Sequence, residues 1–139
     1  MGVEFQGLNN LLDTIEEIGD INKLNKSLGK ACAIVEREAK IKAPKINGEL
    51  RRSISSRVEN GVGVVFTPLL YAPYVEYGTG LFAEGGNGRK DVPWTYRDEK
   101  SGKWVVTSGI HPHPYLRPAL DENREEILRL IKEGLTNND

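Results

Sequence analysis

Cysteine, histidine and long apolar runs are all scarce in this chain of 139 residues. Cys32 is the single cysteine, which excludes an intramolecular disulfide and a zinc site built on several thiolates. No apolar run approaches the roughly 18 residues that span a bilayer, and the first residues lack the basic stretch and apolar core of a secretory signal. We therefore expect a soluble, cytoplasmic chain that forms one domain over residues 1–139.

Net charge is also small, but it is unevenly distributed. Nineteen Lys and Arg residues oppose 20 Asp and Glu residues, and the resulting net charge of −1 disfavours a strongly basic nucleic-acid module. Residues 1–20 carry five acids and no base, whereas residues 21–57 carry ten bases and three acids. This asymmetry indicates either surfaces of opposite sign on one small body or helices with solvated charged faces.

Apolar residues at spacings of three and four predict three helices. The first helix covers residues 5–18, the second begins near Leu24 and is ended by Pro44, and the third extends from Pro118 to Leu135. Asp20 is a candidate cap for the second helix. Cys32 lies in the apolar stripe of that helix, where we expect it to act as a small buried apolar residue.

Turn chemistry predicts two β-hairpins and a short helix between them. Asn60-Gly61 favours a type I′ turn inside a hairpin over residues 53–67, with Gly63 a candidate bulge. Residues 71–78 favour a short helix or turn that ends in a left-handed C-cap at Gly78, and residues 93–96 and 103–107 favour a second hairpin. The predicted fold class is α+β: N-terminal helices, a small antiparallel sheet of hairpins, and a C-terminal helix.

The segment from Gly80 to Asp91 is predicted to be a loop. Four of its residues are glycines and few are apolar, so ordering it costs conformational entropy that a partner must offset. We expect this loop to be mobile in the free protein and to become ordered only in an assembly.

Few residues suit catalysis or metal binding. His111 and His113 would share one face of an extended segment, with Glu76 as a further ligand, but zinc sites ordinarily use three or more protein ligands and the intervening prolines favour a structural turn. Gly85–Lys90 lacks the spacing of a phosphate-binding loop, and no nucleophile elbow is present. We expect no catalytic residue, metal or cofactor, and keep a metal-dependent enzyme built on the two histidines as a third alternative.

A cluster of basic residues straddles the end of the second helix and the turn after it. It consists of Arg37, Lys40, Lys42, Lys45, Arg51, Arg52 and Arg57. The candidate interface residues within it are Arg37, Lys40, Lys42 and Arg52. Such a cluster could contact phosphates by charge alone, although it lacks the aromatic residues that stack single-stranded bases. A small nucleic-acid-binding or regulatory protein that uses this cluster is therefore the main alternative function.

Three motifs occur in order along the chain: Ala43-Pro44 followed by Gly48-Glu49-Leu50-Arg51-Arg52-Ser53-Ile54, then Tyr71-Ala72-Pro73-Tyr74-Val75-Glu76-Tyr77-Gly78-Thr79, then Pro112-His113-Pro114-Tyr115-Leu116-Arg117-Pro118-Ala119-Leu120. In these motifs the sequence resembles neck or minor tail proteins of tailed bacteriophages and prophages, described as head–tail joining, tail-completion or tail-component proteins. Two departures are Tyr115, where Phe is commoner, and Asn47, where Thr or Asp is commoner.

The resemblance implies a virion assembly protein at the head–tail joint or tail terminus, without enzymatic activity. Its implied partners are copies of itself in a ring, connector or neck and tail-tube proteins, and non-specifically the DNA in the channel, with no membrane. Its implied location is the virion, and the bacterial cytoplasm during assembly. The motif residues would be structural: Gly48, Leu50, Arg51, Tyr71, Glu76, Gly78, Pro114, Leu116 and Pro118. We expect Glu76 to be buried and paired with backbone amides or with an arginine, for which Arg51 and Arg117 are the candidates.

Overall fold

A computed structural model describes residues 2–4 (backbone only), 21–45 and 48–136. The chain divides into two compact units, Met1–Leu69 with Tyr115–Asp139 and Leu70–Pro114, here called the first and second units. The single domain expected from the sequence stays a prediction. The predicted helix over residues 5–18 and the Asp20 cap lie outside the described residues, as does Asn47.

The first unit is built around one long helix. Its elements are β1 (Gly2–Glu4), α1 (Ile21–Lys42), α2 (Glu49–Ser53), β2 (Ser55–Glu59), β3 (Val62–Phe66), α4 (Leu116–Asp121) and α5 (Arg124–Thr136). The inward face of α1 packs against β2, β3, α4 and α5, and its buried residues are Leu24, Ser27, Leu28, Ala31, Cys32, Val35 and Ala39. The predicted second helix and the burial of Cys32 are thus confirmed.

The sheet of the first unit is antiparallel with strand order β1-β3-β2. Asn60 and Gly61 both have positive φ, 49° and 80°, as a type I′ turn requires, and the backbone N–H of Gly61 donates to Asn25 Oδ1 in α1 at 2.9 Å. Gly63 pairs with Val58 in an unbroken register. The hairpin is confirmed, whereas the predicted bulge is wrong. The strand β1, which pairs with β3, was not predicted.

The C-terminal helix was predicted as one piece but is two, because the chain turns at Glu122 and Asn123. Asn123 Nδ2 donates to the carbonyl oxygen of Ala119 at 2.8 Å. In a continuous α-helix this carbonyl would accept from the backbone N–H of Asn123 instead. That N–H donates instead to Leu120 at 3.2 Å. The side chain therefore competes with the helical ladder and breaks it.

The second unit contains α3 (Ala72–Tyr77), two 3₁₀ turns at Gly80–Phe82 and Glu84–Gly86, and a hairpin of β4 (Trp94–Arg97) and β5 (Trp104–Thr107). The β4–β5 hairpin confirms the second hairpin that was predicted from the sequence. The turn between these strands is held by Asp98, whose carboxylate accepts from the backbone and hydroxyl of Ser101; these bonds lower the pKa of Asp98.

A close backbone crossing holds the second unit together. Thr79 N–H donates to Ile110 O at 2.9 Å and Leu81 N–H donates to Ser108 O at 3.0 Å. A Cβ on Gly80 would overlap Ser108 O, and one on Gly109 would overlap Thr79 O, so both positions require glycine. The segment predicted as an open loop therefore begins with two 3₁₀ turns, the first of them next to this crossing. Its mobility stays a prediction.

Candidate protein-interaction surface

The outward face of α1 presents charged residues near its C-terminal end. Ala39 and Val35 face the core, so the helical period turns Arg37, Lys40 and Ile41 the other way. The Arg37 side chain is 67% exposed and its nearest anionic partner, Glu38, lies 3.8 Å away. An exposed pair at that distance contributes little to stability, so Arg37 is available to a partner.

An open cleft of about 320 Å³ lies beside this part of α1. It is lined by Glu36, Arg37, Lys40, Ile41 and Arg51. Three cationic groups and one carboxylate give the lining a net charge of +2. Ile41, 64% exposed, adds an apolar side chain to it, and we call this feature the basic cleft.

Arg51 reaches the basic cleft from α2, and its guanidinium is only partly bonded. Its Nη2 donates to the carbonyl oxygen of Ala43 at 3.4 Å, while its buried Nε has no hydrogen-bond partner among the described residues. A buried N–H of a charged group that lacks an acceptor is costly. A carboxylate bound in the cleft would supply an acceptor to this guanidinium.

The other two candidate interface residues differ from Arg37 and Lys40. Lys42 Nζ lies 2.6 Å from Glu122 Oε2, and the hydrogen bond to Glu122 is the main cause that raises the pKa of Lys42. Lys42 therefore links the end of α1 to the turn between α4 and α5. Arg52 is exposed and its Nη1 lies over Gly48, where a Cβ would be 2.7 Å away. A contact of either residue with a partner stays a prediction.

The structural motif residues fall into both units. In the first unit Gly48 has φ 76° and precedes α2, Leu50 and Leu116 are buried, and Pro118 lies in the first turn of α4. Ser53, from the same motif as Leu50, shares a 2.7 Å hydrogen bond with Thr67. These residues fix turns and pack the core.

In the second unit Glu76 is completely buried in α3, as predicted; its pairing with Arg51 or Arg117 stays a prediction. Tyr71 is the N-cap residue of α3. Gly78 ends α3 with φ 76° and ψ 176°, so the positive φ is confirmed but the left-handed helical cap is wrong. A Cβ at Gly78 would be 2.7 Å from Ile110 O. Pro114 is the last residue of this unit.

The two histidines have structural surroundings. The His111 ring stacks on Phe82 with a centroid distance of 3.8 Å, and the His113 backbone N–H donates to Val75 O at 2.7 Å. Over the part of the chain that the structure describes, no three His, Cys, Asp or Glu side chains come together as metal ligands. The same residues contain no helix with the length and apolar character needed to cross a membrane.

Sequence reasoning missed two features of the surface. Glu36 and Ile41 were not assigned to the cleft, although their spacing from Arg37 and Lys40 places all four on one helical face. The second unit also carries most of the large apolar side chains that are exposed among the described residues: nine lie in it and three elsewhere. Those nine are Leu70, Tyr74, Tyr77, Leu81, Phe82, Tyr96, Trp104, Val106 and Ile110.

The comparison with protein families bears directly on the three motifs. The family described as "Bacteriophage HK97-gp10, putative tail-component" matches residues 8–78. This chain belongs to the HK97-gp10-like family. The match spans the first motif, nearly all of the second, and the α1–α2 region that forms the basic cleft, so the resemblance to phage neck and tail proteins is confirmed. No curated protein and no solved structure matches the chain.

Proposed function

We propose that this HK97-gp10-like protein is a virion assembly protein at the head–tail joint or the tail terminus of a tailed phage or prophage. The observation that carries the proposal is the match to a phage tail-component family over residues 8–78. A structural role in a phage tail follows from the family. Its position at the head–tail joint or tail terminus goes beyond what the family description states. The ordered set of three motifs supports that position.

The proposal includes a ring of copies that contacts connector or neck proteins on one side and tail-tube proteins on the other. Closed rings arise when two different surfaces of the same chain meet. The sequence contains two segments of opposite charge that suit such a contact, the acidic residues 1–20 and the basic residues 21–57. A ring around the channel would also place basic side chains where DNA passes. The protein would act in the virion and, during assembly, in the bacterial cytoplasm.

The main test reverses charge in the basic cleft. Arg37→Glu with Lys40→Glu should change the free energy of unfolding by no more than roughly 0.5 kcal/mol per exposed site. In a phage that carries this change we expect heads and tails to remain unjoined, or tails to be malformed, in electron micrographs. Lys26→Glu with Lys30→Glu is the matched control, because both lysines are exposed on α1 outside the cleft.

Two results would count against the proposal. Normal infectivity of the cleft variant would remove the basic cleft from the mechanism, and normal particles from a phage that lacks the gene would remove the assembly role altogether. Salt-dependent binding of the purified protein to DNA, abolished by the cleft variant while particles assemble normally, would favour the nucleic-acid-binding alternative.

A further inference from the structure

The basic cleft has the chemistry of a site for an acidic peptide. Arg37, Lys40 and Arg51 outnumber Glu36 there, and the buried Nε of Arg51 lacks an acceptor within the described residues. Exposed Ile41 adds an aliphatic contact. A cleft of about 320 Å³ accommodates a few side chains, so a short segment with carboxylates beside aliphatic groups would suit it.

The chain itself contains one such segment. Residues 5–20 include Asp13, Glu16, Glu17 and Asp20, interleaved with leucine and isoleucine and with no basic residue. Four other carboxylates of the first unit already have basic partners. Glu122 bonds Lys42, Asp121 bonds Arg124, and Glu126 and Glu133 bond Arg129.

The chain that connects part of this segment to α1 is too short to reach the cleft of the same copy. Asp20 adjoins Ile21, the first residue of α1, while Arg37 lies 16 residues further on, roughly 24 Å along the helix. Asp20 therefore cannot reach the cleft of its own chain. Glu17 would approach it only if the chain ran fully extended back along α1.

We propose that the basic cleft binds the carboxylates of Glu16, Glu17 and Asp20 from a neighbouring copy of this chain. The inference rests on the ring of copies in the proposed function and names the contact that joins one copy to the next. The contact is between two different surfaces, so repeating it around an axis closes a ring.

The first experiment measures this binding directly. A fluorescent peptide of residues 5–20 is titrated into the purified full chain, and its affinity should fall as salt rises. The Arg37→Glu/Lys40→Glu variant should bind it at least about tenfold more weakly, whereas Lys26→Glu/Lys30→Glu should bind it like the parent protein. A peptide with the four acids replaced by Asn or Gln should also bind weakly. Equal affinity of the parent and cleft variants would overturn the proposal.

A second experiment in the phage separates a contact between copies from one within a copy. Two chains are produced together: one carries Glu16→Lys, Glu17→Lys and Asp20→Lys, and the other carries Arg37→Glu and Lys40→Glu. Where the two chains alternate around a ring, each reversed segment meets a reversed cleft, and each unchanged segment meets an unchanged cleft. We expect either chain alone to lower the yield of infectious particles and the mixture to restore it.

The failures of the two proposals differ in this experiment. If one chain carrying all five changes restores infectivity but the mixture does not, the contact lies within a copy and the inference is wrong. If neither the five-change chain nor the mixture restores infectivity, the cleft does not bind the acidic segment. The assembly role is still supported in that case, because the single variants lower the yield of infectious particles. Normal particles after deletion of the gene would instead overturn the proposed function.

Discussion

Glu76 is the only charged side chain that is completely buried among the described residues. A carboxylate withdrawn from water is stable only when its surroundings compensate for lost hydration. Its place in α3, two residues before the glycine that ends that helix, makes it a structural residue of the second unit. Its burial was predictable from the tight motif around it, but the partner that compensates it depends on tertiary packing that a sequence does not show.

Replacement of Glu76 should therefore be costly. If its partner is a buried arginine, Glu76→Ala should lower the free energy of unfolding by roughly 3 kcal/mol, because the remaining charge would be left uncompensated. Glu99→Ala, at an exposed position of the β4–β5 turn, should change it by less than about 0.5 kcal/mol. Urea denaturation of both variants measures the difference, and similar midpoints for the two would contradict this role.

Cys32 gives a prediction about pH. Burial, with a smaller contribution from Glu36, raises the pKa of the Cys32 thiol to about 11. The unfolded thiol titrates near 8.5, so between these values the unfolded chain loses a proton that the folded chain keeps. Stability should thus fall as pH rises from about 8.5 to 11, and this thiol should account for about 2 to 3 kcal/mol of the loss.

Chemical denaturation across this pH range, compared with the Cys32→Ala variant, isolates the thiol. The variant loses packing at every pH, so only the slope is informative, and its slope should be shallower than that of the parent. Parallel curves would show that Cys32 does not titrate differently in the folded and unfolded chain.

At the scale of elements, α1 and α5 are in close contact where Gly134 faces Ser27. A Cβ on Gly134 would overlap Ser27 Oγ and lie 3.1 Å from Ser27 Cβ. Ser27 is itself buried in α1, so its side chain has little room to move. The glycine, although unfavourable inside a helix, permits the two helices to pack.

Three variants test this packing. Gly134→Ala should destabilise the protein by about 1 to 3 kcal/mol through overpacking, and its cost should largely vanish in a Ser27→Gly background. Gly29→Ala is the control: Gly29 is also helical, but its Cβ would meet nothing within 4 Å, so the change should stabilise by up to about 1 kcal/mol. Thermal or urea unfolding gives all three values, and stabilisation by Gly134→Ala would refute the close approach.

Elements with strong local signals could be predicted, and those set by competition or distant contacts could not. The β2–β3 hairpin depends on Asn60-Gly61, whose turn type is a local property. The break at Asn123 depends on a side chain that takes a backbone acceptor, which apolar periodicity does not register. The three residues of β1 are too few to show alternation, and the Gly80–Gly109 crossing joins segments far apart in sequence.

At the scale of the whole molecule, the basic cleft and most of the exposed apolar side chains belong to different units. The basic cleft belongs to the first unit, and most of the large exposed apolar side chains in the described residues belong to the second. The sequence predicted the basic cluster and, through its three motifs, the family. It did not predict which cations meet in one cleft, because Arg51 and Arg37 come together only when α2 packs beside α1.

No enzymatic activity is expected of the whole protein. Purified protein should turn over no phosphoester or peptide substrate, since His111 stacks on an aromatic ring and the family is one of tail components. Assays with generic chromogenic phosphoester and peptide substrates, with and without divalent metal ions, check this. Turnover that disappears in His111→Ala would contradict the structural role.

The Asp98 turn also has a practical use. It is an exposed tip at the end of a two-stranded hairpin, closed by its own hydrogen bonds, and such tips tolerate inserted sequence. A small epitope placed between Ser101 and Gly102 would serve as a fiducial label. Antibody fragments bound to that label would show, in electron micrographs of intact particles, where along the neck or tail each copy resides.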